Sequence, residues 1–146
     1  MIVIDASVAA KWYLPESGST AAVELQEGPD QLIAPELIRM EVAGSITRRV
    51  RADKKEERLS PDVALSRCAK WFRLLDQATV SLIPEAELLQ KAINLSVEIK
   101  HTLHDCMYLA AARDLNARLV TADRPFHDRA SRLYKHVALL PGCEGN

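Results

Sequence analysis

The amino-acid sequence predicts an α/β fold in which a five-stranded parallel sheet is covered by helices on both faces. Short apolar runs rich in β-branched residues alternate along the chain with longer segments of helical periodicity. This alternation favours a parallel sheet, because each helix returns the chain to begin the next strand in the same direction. We find no internal repeat, linker or low-complexity segment, so we expect one domain over residues 1–146, with its core at about 1–141.

The first half of the chain contains two predicted strands. Residues 1–4 form a continuous apolar run, which is typical of a strand buried on both faces. Residues 31–34 form the second strand, closed by Pro35. Proline or a Gly-Pro pair ends each of the two short helices predicted between these strands, at 7–14 and 20–27. A further helix is predicted from Glu36 into the charged segment 48–58.

The second half begins with a clear helix start, since Ser60 is followed by proline at the first helical position. The other predicted elements are a helix through Leu75, a strand at 79–83, an amphipathic helix at 86–99, an almost wholly apolar helix after Asp105, and strands at 118–121 and 137–140. A helix that is apolar all round indicates a central, buried position.

Composition narrows the class of protein. Nearly half of the 146 residues are apolar and the net charge is -1, which is typical of a globular protein and does not by itself indicate nucleic-acid binding. The three cysteines are odd in number and widely spaced, which argues against a disulfide framework. No apolar run approaches a membrane span, and no signal peptide precedes the first strand. We therefore expect a cytoplasmic protein without a membrane partner.

Four acids are predicted to lie at one edge of the sheet, the carboxyl edge where α/β proteins bind ligands. Asp5 directly follows the first strand, and Asp123 follows the fourth. Asp105 begins the helix that precedes the fourth strand, and Glu41 lies near the start of the helix after the second. Four separate segments therefore direct one carboxylate each toward the same region.

Each acid also has a local explanation. Asp5 is suited to cap a helix, and Asp123, before Arg124 and Pro125, is suited to open a turn or to cap a short helix. Thr102 and Asp105 have the spacing of a capping box, and Glu41 has the alternative of being an ordinary solvated glutamate. Taken together, four carboxylates at one edge would repel one another unless a cation is bound. An all-oxygen cluster suits Mg²⁺ or Mn²⁺ rather than zinc, and such ions assist cleavage of phosphodiesters.

Four segments, in order, resemble those of PIN-domain nucleases, and they are especially similar to VapC toxins of type II toxin–antitoxin pairs. They are residues 3–8 (VIDASV), 35–42 (PELIRMEV), 103–110 (LHDCMYLA) and 119–126 (LVTADRPF). The resemblance covers essentially the whole chain. It implies a five-stranded parallel sheet, endoribonuclease activity with Mg²⁺ or alternatively Mn²⁺, a VapB-type antitoxin that occupies the active-site groove, and a homodimer.

The resemblance also assigns roles by position. Asp5 and Asp105 are the expected metal ligands, while Glu41 and Asp123 complete the catalytic acidic pocket, directly or through water. The hydroxyl residues that support the acids by hydrogen bonding are expected to be Ser7 and Thr121.

Other patterns carry weaker signals. The spacing of His101, His104 and Cys106 matches no usual zinc signature. His104 is either an ordinary residue at a helix start or a group that assists RNA binding or proton transfer. Segment 48–58 mixes acids with its bases, so it is either a solvated helix end or a contact for RNA phosphates or antitoxin. Aromatic residues at helical spacings, Trp12, Trp71 and Phe72, are more typical of a core or dimer surface than of base stacking.

Two other functions are compatible with the fold class. A PIN domain that serves RNA maturation would have nearly the same sequence pattern as a toxin. A phosphotransfer enzyme or receiver-type module also places acids at strand ends. The haloacid-dehalogenase pattern, however, needs a second aspartate where Ser7 stands, and a receiver needs a lysine where Pro141 and Gly142 follow the last predicted strand.

Overall fold

The computed structural model describes residues 1–145 and contains one five-stranded sheet, in which every pair of neighbouring strands is parallel. The predicted α/β fold with a parallel sheet is therefore confirmed. The spatial order of the strands is β3-β2-β1-β4-β5. The strands are β1 (Ile2–Ile4), β2 (Leu32–Pro35), β3 (Val80–Ile83), β4 (Arg118–Thr121) and β5 (Val137–Leu139).

Seven α-helices connect the strands within the described residues: α1 (Ala6–Ala9), α2 (Ser19–Glu27), α3 (Ile38–Arg48), α4 (Pro61–Asp76), α5 (Glu85–Ile99), α6 (Leu103–Asp114) and α7 (Arg124–Ala130). Right-handed crossovers place α1 to α4 on one face of the sheet and α5 to α7 on the other. The contacts agree, because α3 packs on α4 and α1, whereas α5 packs on α6.

The order of the strands creates a switch point beside β1. From β1 the chain moves outward through β2 to β3, and it then returns to place β4 and β5 on the other side of β1. In open α/β sheets, the crevice at the carboxyl ends of strands that flank such a switch is the usual ligand site. The residues that follow β1 and β4 are therefore at the expected place for a functional site.

The central helix of the fold is α6, which contacts β1, β2 and β4. All residues from Cys106 to Ala112 are buried, as the apolar pattern predicts. Four of these seven residues are alanine or cysteine, and small side chains let the helix axis approach the sheet closely. The first turn of α6, which carries Asp105, is thereby fixed against the carboxyl edge of β1 and β4.

Two predicted helices are shorter in the structure, and one position that the sequence left open is helical. The first predicted helix is shorter, because α1 ends at Ala9 and tightens into a 3₁₀ turn over Ala10–Trp12 before Pro15. The charged segment after α3 forms two more 3₁₀ turns, Arg49–Arg51 and Lys55–Glu57, rather than continuing the helix. A seventh helix, α7, follows Asp123, where the sequence allowed either a turn or a short helix.

The three cysteines are free thiols; Cys106 and Cys143 are buried and Cys68 is half-buried. Cys143 belongs to a C-terminal turn that packs on Gly18, where a Cβ atom would lie 2.7 Å from the Cys143 sulfur. Gly18 also has a φ of +83°, which side-chain-bearing residues rarely adopt. Within residues 1–145, no helix is long and apolar enough to cross a membrane.

Candidate active site

Asp5 is buried at the carboxyl end of β1, with only 4% of its surface exposed. It occupies the N-cap position of α1, yet its side chain forms no capping hydrogen bond. Its Oδ2 atom instead accepts hydrogen bonds of 2.6 Å from the hydroxyls of Ser7 and Thr121. The capping explanation for this side chain is therefore wrong, and the carboxylate is held by residues from two different segments.

The two hydroxyl groups also join β1 to β4. The backbone N–H of Ala122 donates to Ser7 Oγ at 2.9 Å, and that of Asp123 donates to Thr121 Oγ1 at 3.0 Å. The two hydroxyl oxygens are 3.4 Å apart. Because each hydroxyl both accepts and donates, the orientation of Asp5 is fixed by the backbone that follows β4.

Glu41 lies in the first turn of α3 and reaches the same region. Its Oε2 atom accepts a hydrogen bond of 2.6 Å from the hydroxyl of Tyr108, a fully buried residue of α6. This contact joins helices on opposite faces of the sheet past its carboxyl edge. Burial raises the pKa of Glu41, the negative charge of Asp105 raises it further, and the Tyr108 hydrogen bond and nearby His104 and Arg48 oppose that rise.

Asp105 lies in the first turn of α6, which Thr102 caps by accepting the Asp105 backbone N–H at 3.3 Å. The Thr102 hydroxyl also donates to Asp105 Oδ2 at 2.6 Å. His101 Nε2 approaches the same oxygen to 2.7 Å, although the angle does not satisfy a hydrogen bond. The His101 ring stacks on Phe126 of α7, with centroids 5.2 Å apart. The capping box predicted here is thus present in modified form, and it holds the carboxylate.

Asp123 differs from the other three acids. Its Oδ1 atom accepts the backbone N–H of Phe126 at 2.8 Å and so caps α7. The capping explanation for Asp123 is therefore confirmed. The residue still lines a cleft together with Ser7, whose hydroxyl donates to Asp5. Its part in a metal site stays a prediction, because one of its oxygens already serves the helix.

The charges of neighbouring acids raise the pKa values of Asp5 and Tyr108. Burial raises the pKa of Asp5 to about 7; the hydrogen bonds from Ser7 and Thr121 oppose this rise, and the charges of Asp105 and Glu41 add to it. Burial raises the pKa of Tyr108, and the charges of Asp5, Glu41 and Asp105 all raise it further. These effects place Asp5, Glu41 and Asp105 together around Tyr108.

The donor set suits a hard divalent cation. Asp5, Glu41 and Asp105 each engage one carboxylate oxygen with a protein partner and leave the other without a hydrogen-bond partner among residues 1–145. Free carboxylate oxygens that repel one another are the ligands that Mg²⁺ and Mn²⁺ prefer. Nevertheless, no three His, Cys, Asp or Glu side chains of the described part are spaced as a ready metal site.

Two residues of the site were missed by the sequence analysis. Tyr108 appeared to be one more apolar residue of α6, although an aromatic hydroxyl in a buried helix generally needs a partner. Its position three residues after Asp105, on the same helical face, was the available signal. Lys11 lines the cleft with Ser7 and Asp123 and is almost wholly buried. The sequence pointed to Lys11 only through its position four residues, about one helical turn, after Ser7.

The raised pKa of Asp5 predicts how stability depends on pH. Between the ordinary value of 3.8 and about 7, the folded protein binds a proton at Asp5 that the unfolded chain releases. The metal-free protein should therefore lose this contribution to its stability as pH rises through that window. Asp5→Asn should remove the loss, so that the variant becomes the more stable protein near pH 8, by on the order of a few kcal/mol.

Urea unfolding of both proteins at a series of pH values, with chelator present, measures this difference. Asp76→Asn, at an exposed position at the end of α4, is the control and should give a difference that is constant with pH. The account of Asp5 is contradicted if Asp5→Asn also differs from the wild type by the same amount at every pH.

A parallel α/β fold with a carboxylate cluster at its switch point defines the class: proteins that bind a ligand at the carboxyl edge of an open sheet. Within this class, the chain belongs to the PIN domain family, whose profile matches residues 2–132. The family predicted from the sequence is therefore confirmed. The match includes all four acids and both supporting hydroxyls.

Relatives and solved structures give further similarities. The chain is 27% identical over 128 residues to Ribonuclease VapC3 of Pyrobaculum aerophilum, covering 88% of this chain and 93% of that protein. A toxin–antitoxin complex from Klebsiella pneumoniae superposes with a TM-score of 0.66 at 16% identity, covering 94% and 96% of the two chains. Mycobacterium tuberculosis VapC20, a Sarcin-Ricin loop cleaving toxin, gives 0.63 at 19% identity, covering 86% and 92%. At such low identity, the two superpositions show similarity of fold.

Proposed function

We propose that this protein is a metal-dependent endoribonuclease that acts as the toxin of a type II toxin–antitoxin pair. The observation that carries the proposal is the cluster of Asp5, Glu41 and Asp105 at the switch point of the sheet, where the charge of Asp105 raises the pKa values of both Asp5 and Glu41. The names of the relatives, a ribonuclease and an RNA-cleaving toxin, support RNA as the substrate. The free thiols are in keeping with action in the reducing cytoplasm.

Asp5 and Asp105 are the proposed ligands of Mg²⁺, or alternatively of Mn²⁺, with Glu41 and Asp123 completing the pocket directly or through water. When bound, such an ion supplies activation of water and stabilisation of charge on the phosphoryl group. The protein's contribution is to orient the acids. Hydrogen bonds fix one carboxylate oxygen of Asp5, of Glu41 and of Asp105. The second oxygen of each carboxylate is thereby oriented and remains free to bind an ion.

The proposed antitoxin would bind the same region. A cleft of about 570 Å³ joins Glu41 and His104 to exposed apolar side chains, among them Met40, Leu89 and Leu103. An arginine of the antitoxin would pair with the acids, since its planar fork suits paired carboxylates. Apolar residues of the same segment would then pack on the exposed side chains of the cleft. The homodimer implied by the resemblance stays a prediction, which light scattering of the purified protein tests.

Two experiments test the proposal. Purified protein should cleave single-stranded RNA with Mg²⁺ or Mn²⁺, stop when a chelator is added, and recover when the ion is returned in excess. Its expression should arrest bacterial growth, and co-expression of the neighbouring small reading frame should restore it. Cleavage without growth arrest would favour an RNA-maturation nuclease over a toxin. Absence of any cleavage under all these conditions would contradict the nuclease assignment.

A further inference from the structure

A second cleft adjoins the acidic pocket and is lined by cationic side chains. It measures about 490 Å³ and includes Ser7 and Asp123 at the acidic end. Its cations are Lys11 from the 3₁₀ turn after α1, Arg48 from the end of α3 and Arg49 from the turn that follows. Arg48 also lines the cleft that contains Glu41 and His104. Arg48 therefore lines both clefts, one of which contains Asp123 and the other Glu41.

Lys11 is unusual because its side chain is only 5% exposed although it ends in a charged group. Its Nζ atom donates to Glu16 Oε1 at 2.8 Å. An ammonium group has three donors, and Glu16 is the acceptor recorded for it among residues 1–145. A buried lysine loses solvation, which one partly exposed carboxylate does not fully replace. The unused donors are therefore available to water or to an anion in the cleft.

Glu16 holds two cations at the same cleft. Its second oxygen accepts a hydrogen bond of 3.0 Å from Arg49, which also pairs with Glu57 at 3.2 Å. Arg48, in contrast, has no carboxylate within ion-pair distance in the described part of the chain and donates to the Ser45 hydroxyl at 3.0 Å. The cleft lining thus contains three cations and two carboxylates, and one of those carboxylates caps α7.

A polyanionic substrate meets an electrostatic difficulty at this active site, because the acids repel its phosphates. Cations placed within a Debye length, about 10 Å at moderate salt, counter that repulsion and raise the local concentration of an anionic strand. Lys11 shares a cleft with Asp123, and Arg48 lines that cleft and the one that contains Glu41. These cations are therefore placed to hold a neighbouring phosphate while the acids face the bond to be cleaved.

We propose that Lys11, Arg48 and Arg49 form a phosphate-binding subsite for the RNA strand, and that Glu16 positions Lys11 and Arg49 within it. This inference rests on the proposed ribonuclease function and specifies how the substrate is held. The subsite binds one phosphodiester of a single strand beside the scissile one. It adds ground-state binding and takes no part in the chemical step.

The test uses Lys11→Met, which keeps the aliphatic stem but removes the charge. Binding of a fluorescently labelled single-stranded RNA of mixed sequence is measured without divalent metal over a range of salt concentrations. Loss of one phosphate contact should weaken binding roughly tenfold and lower the slope of log affinity against log salt by about 0.7. With metal present, KM should rise while kcat is retained.

Three further variants make the result specific. Lys11→Arg should recover much of the affinity and slope. Arg48→Gln changes an exposed residue with no carboxylate partner in the described residues, and it should lower both the RNA affinity and the salt slope. This variant tests the subsite if Lys11→Met does not fold. Lys91→Met is the matched control, because Lys91 is also paired with one carboxylate, Asp114, but lies outside both clefts.

The outcomes separate the subsite from the nuclease assignment. Wild-type protein that cleaves RNA, with Lys11→Met and Arg48→Gln unchanged in affinity and salt slope, overturns the subsite and leaves the nuclease intact. A fall in kcat with unchanged KM in a folded Lys11→Met also overturns it, since Lys11 would then act in chemistry. Wild-type protein that binds RNA but never cleaves it contradicts the proposed function instead.

Discussion

Asp105→Asn is expected to lower the rate of RNA cleavage by roughly 10²- to 10³-fold, the range seen when one preorganised group that stabilises transition-state charge is removed. Asparagine retains the size of the side chain and can still accept from Thr102, but it removes the charge that a divalent ion requires. Asp105 is partly exposed, with 23% of its side chain accessible, so the change should not unfold α6. Asp5→Asn should have an effect of the same order.

The matched control is Asp114→Asn. Asp114 lies on the same helix and pairs with Lys91, away from the acidic pocket. Initial rates measured with saturating Mg²⁺, together with circular dichroism of each variant, separate loss of catalysis from loss of fold. A folded Asp105→Asn protein that cleaves RNA at the wild-type rate, with the same sensitivity to chelator, would remove Asp105 from the proposed site.

Trp71→Ala is expected to reduce the free energy of unfolding by about 3–5 kcal/mol, the usual effect of truncating a large buried aromatic residue. Trp71 is fully buried on α4, and its indole N–H donates to the Arg39 carbonyl of α3 at 3.2 Å. Its ring also contacts Trp12 and Tyr13, with centroids 6.2 and 6.1 Å away. The substitution would therefore leave a cavity beneath the helix that carries Glu41 and remove a hydrogen bond between α4 and α3.

The adjacent aromatic residue provides the control for this prediction. Phe72 is 45% exposed on the other side of α4, so Phe72→Ala should change stability by about 1 kcal/mol or less. Urea unfolding of the three proteins at one pH measures both effects. Similar losses for Trp71→Ala and Phe72→Ala would contradict the assignment of Trp71 to the core and Phe72 to the surface.

The position of the site was predictable because strands are easy to recognise here. The predicted strands end directly before Asp5 and one residue before Asp123, so both acids were expected at the carboxyl edge. The role of each acid was not predictable from the same pattern. Asp5 and Asp123 both occupy N-cap positions, yet only Asp123 caps its helix. Asp5 instead accepts from the hydroxyl of Thr121, which is 116 residues away in sequence. It also accepts from Ser7, whose hydroxyl in turn accepts from the backbone of Ala122, 115 residues further along the chain.

Tertiary partners also explain what the sequence did not indicate. Lys11 has the pattern of a surface lysine at a helix end, and its burial depends on Glu16 and on the packing of α3 beside it. Tyr108 is one apolar residue among many in α6 until Glu41 of α3 is placed opposite its hydroxyl. Local periodicity fixes which face of an element is buried, but not which polar group from another element meets it.

The central claim is that Asp5 and Asp105 hold a divalent ion. Calorimetric titration of Mn²⁺ into the purified, metal-free protein tests it most directly, because it needs neither the RNA target nor the antitoxin. We predict saturable binding to the wild type and to Asp114→Asn, and binding that is at least about tenfold weaker for Asp5→Asn and for Asp105→Asn. Equal Mn²⁺ affinity in all four proteins would contradict the claim.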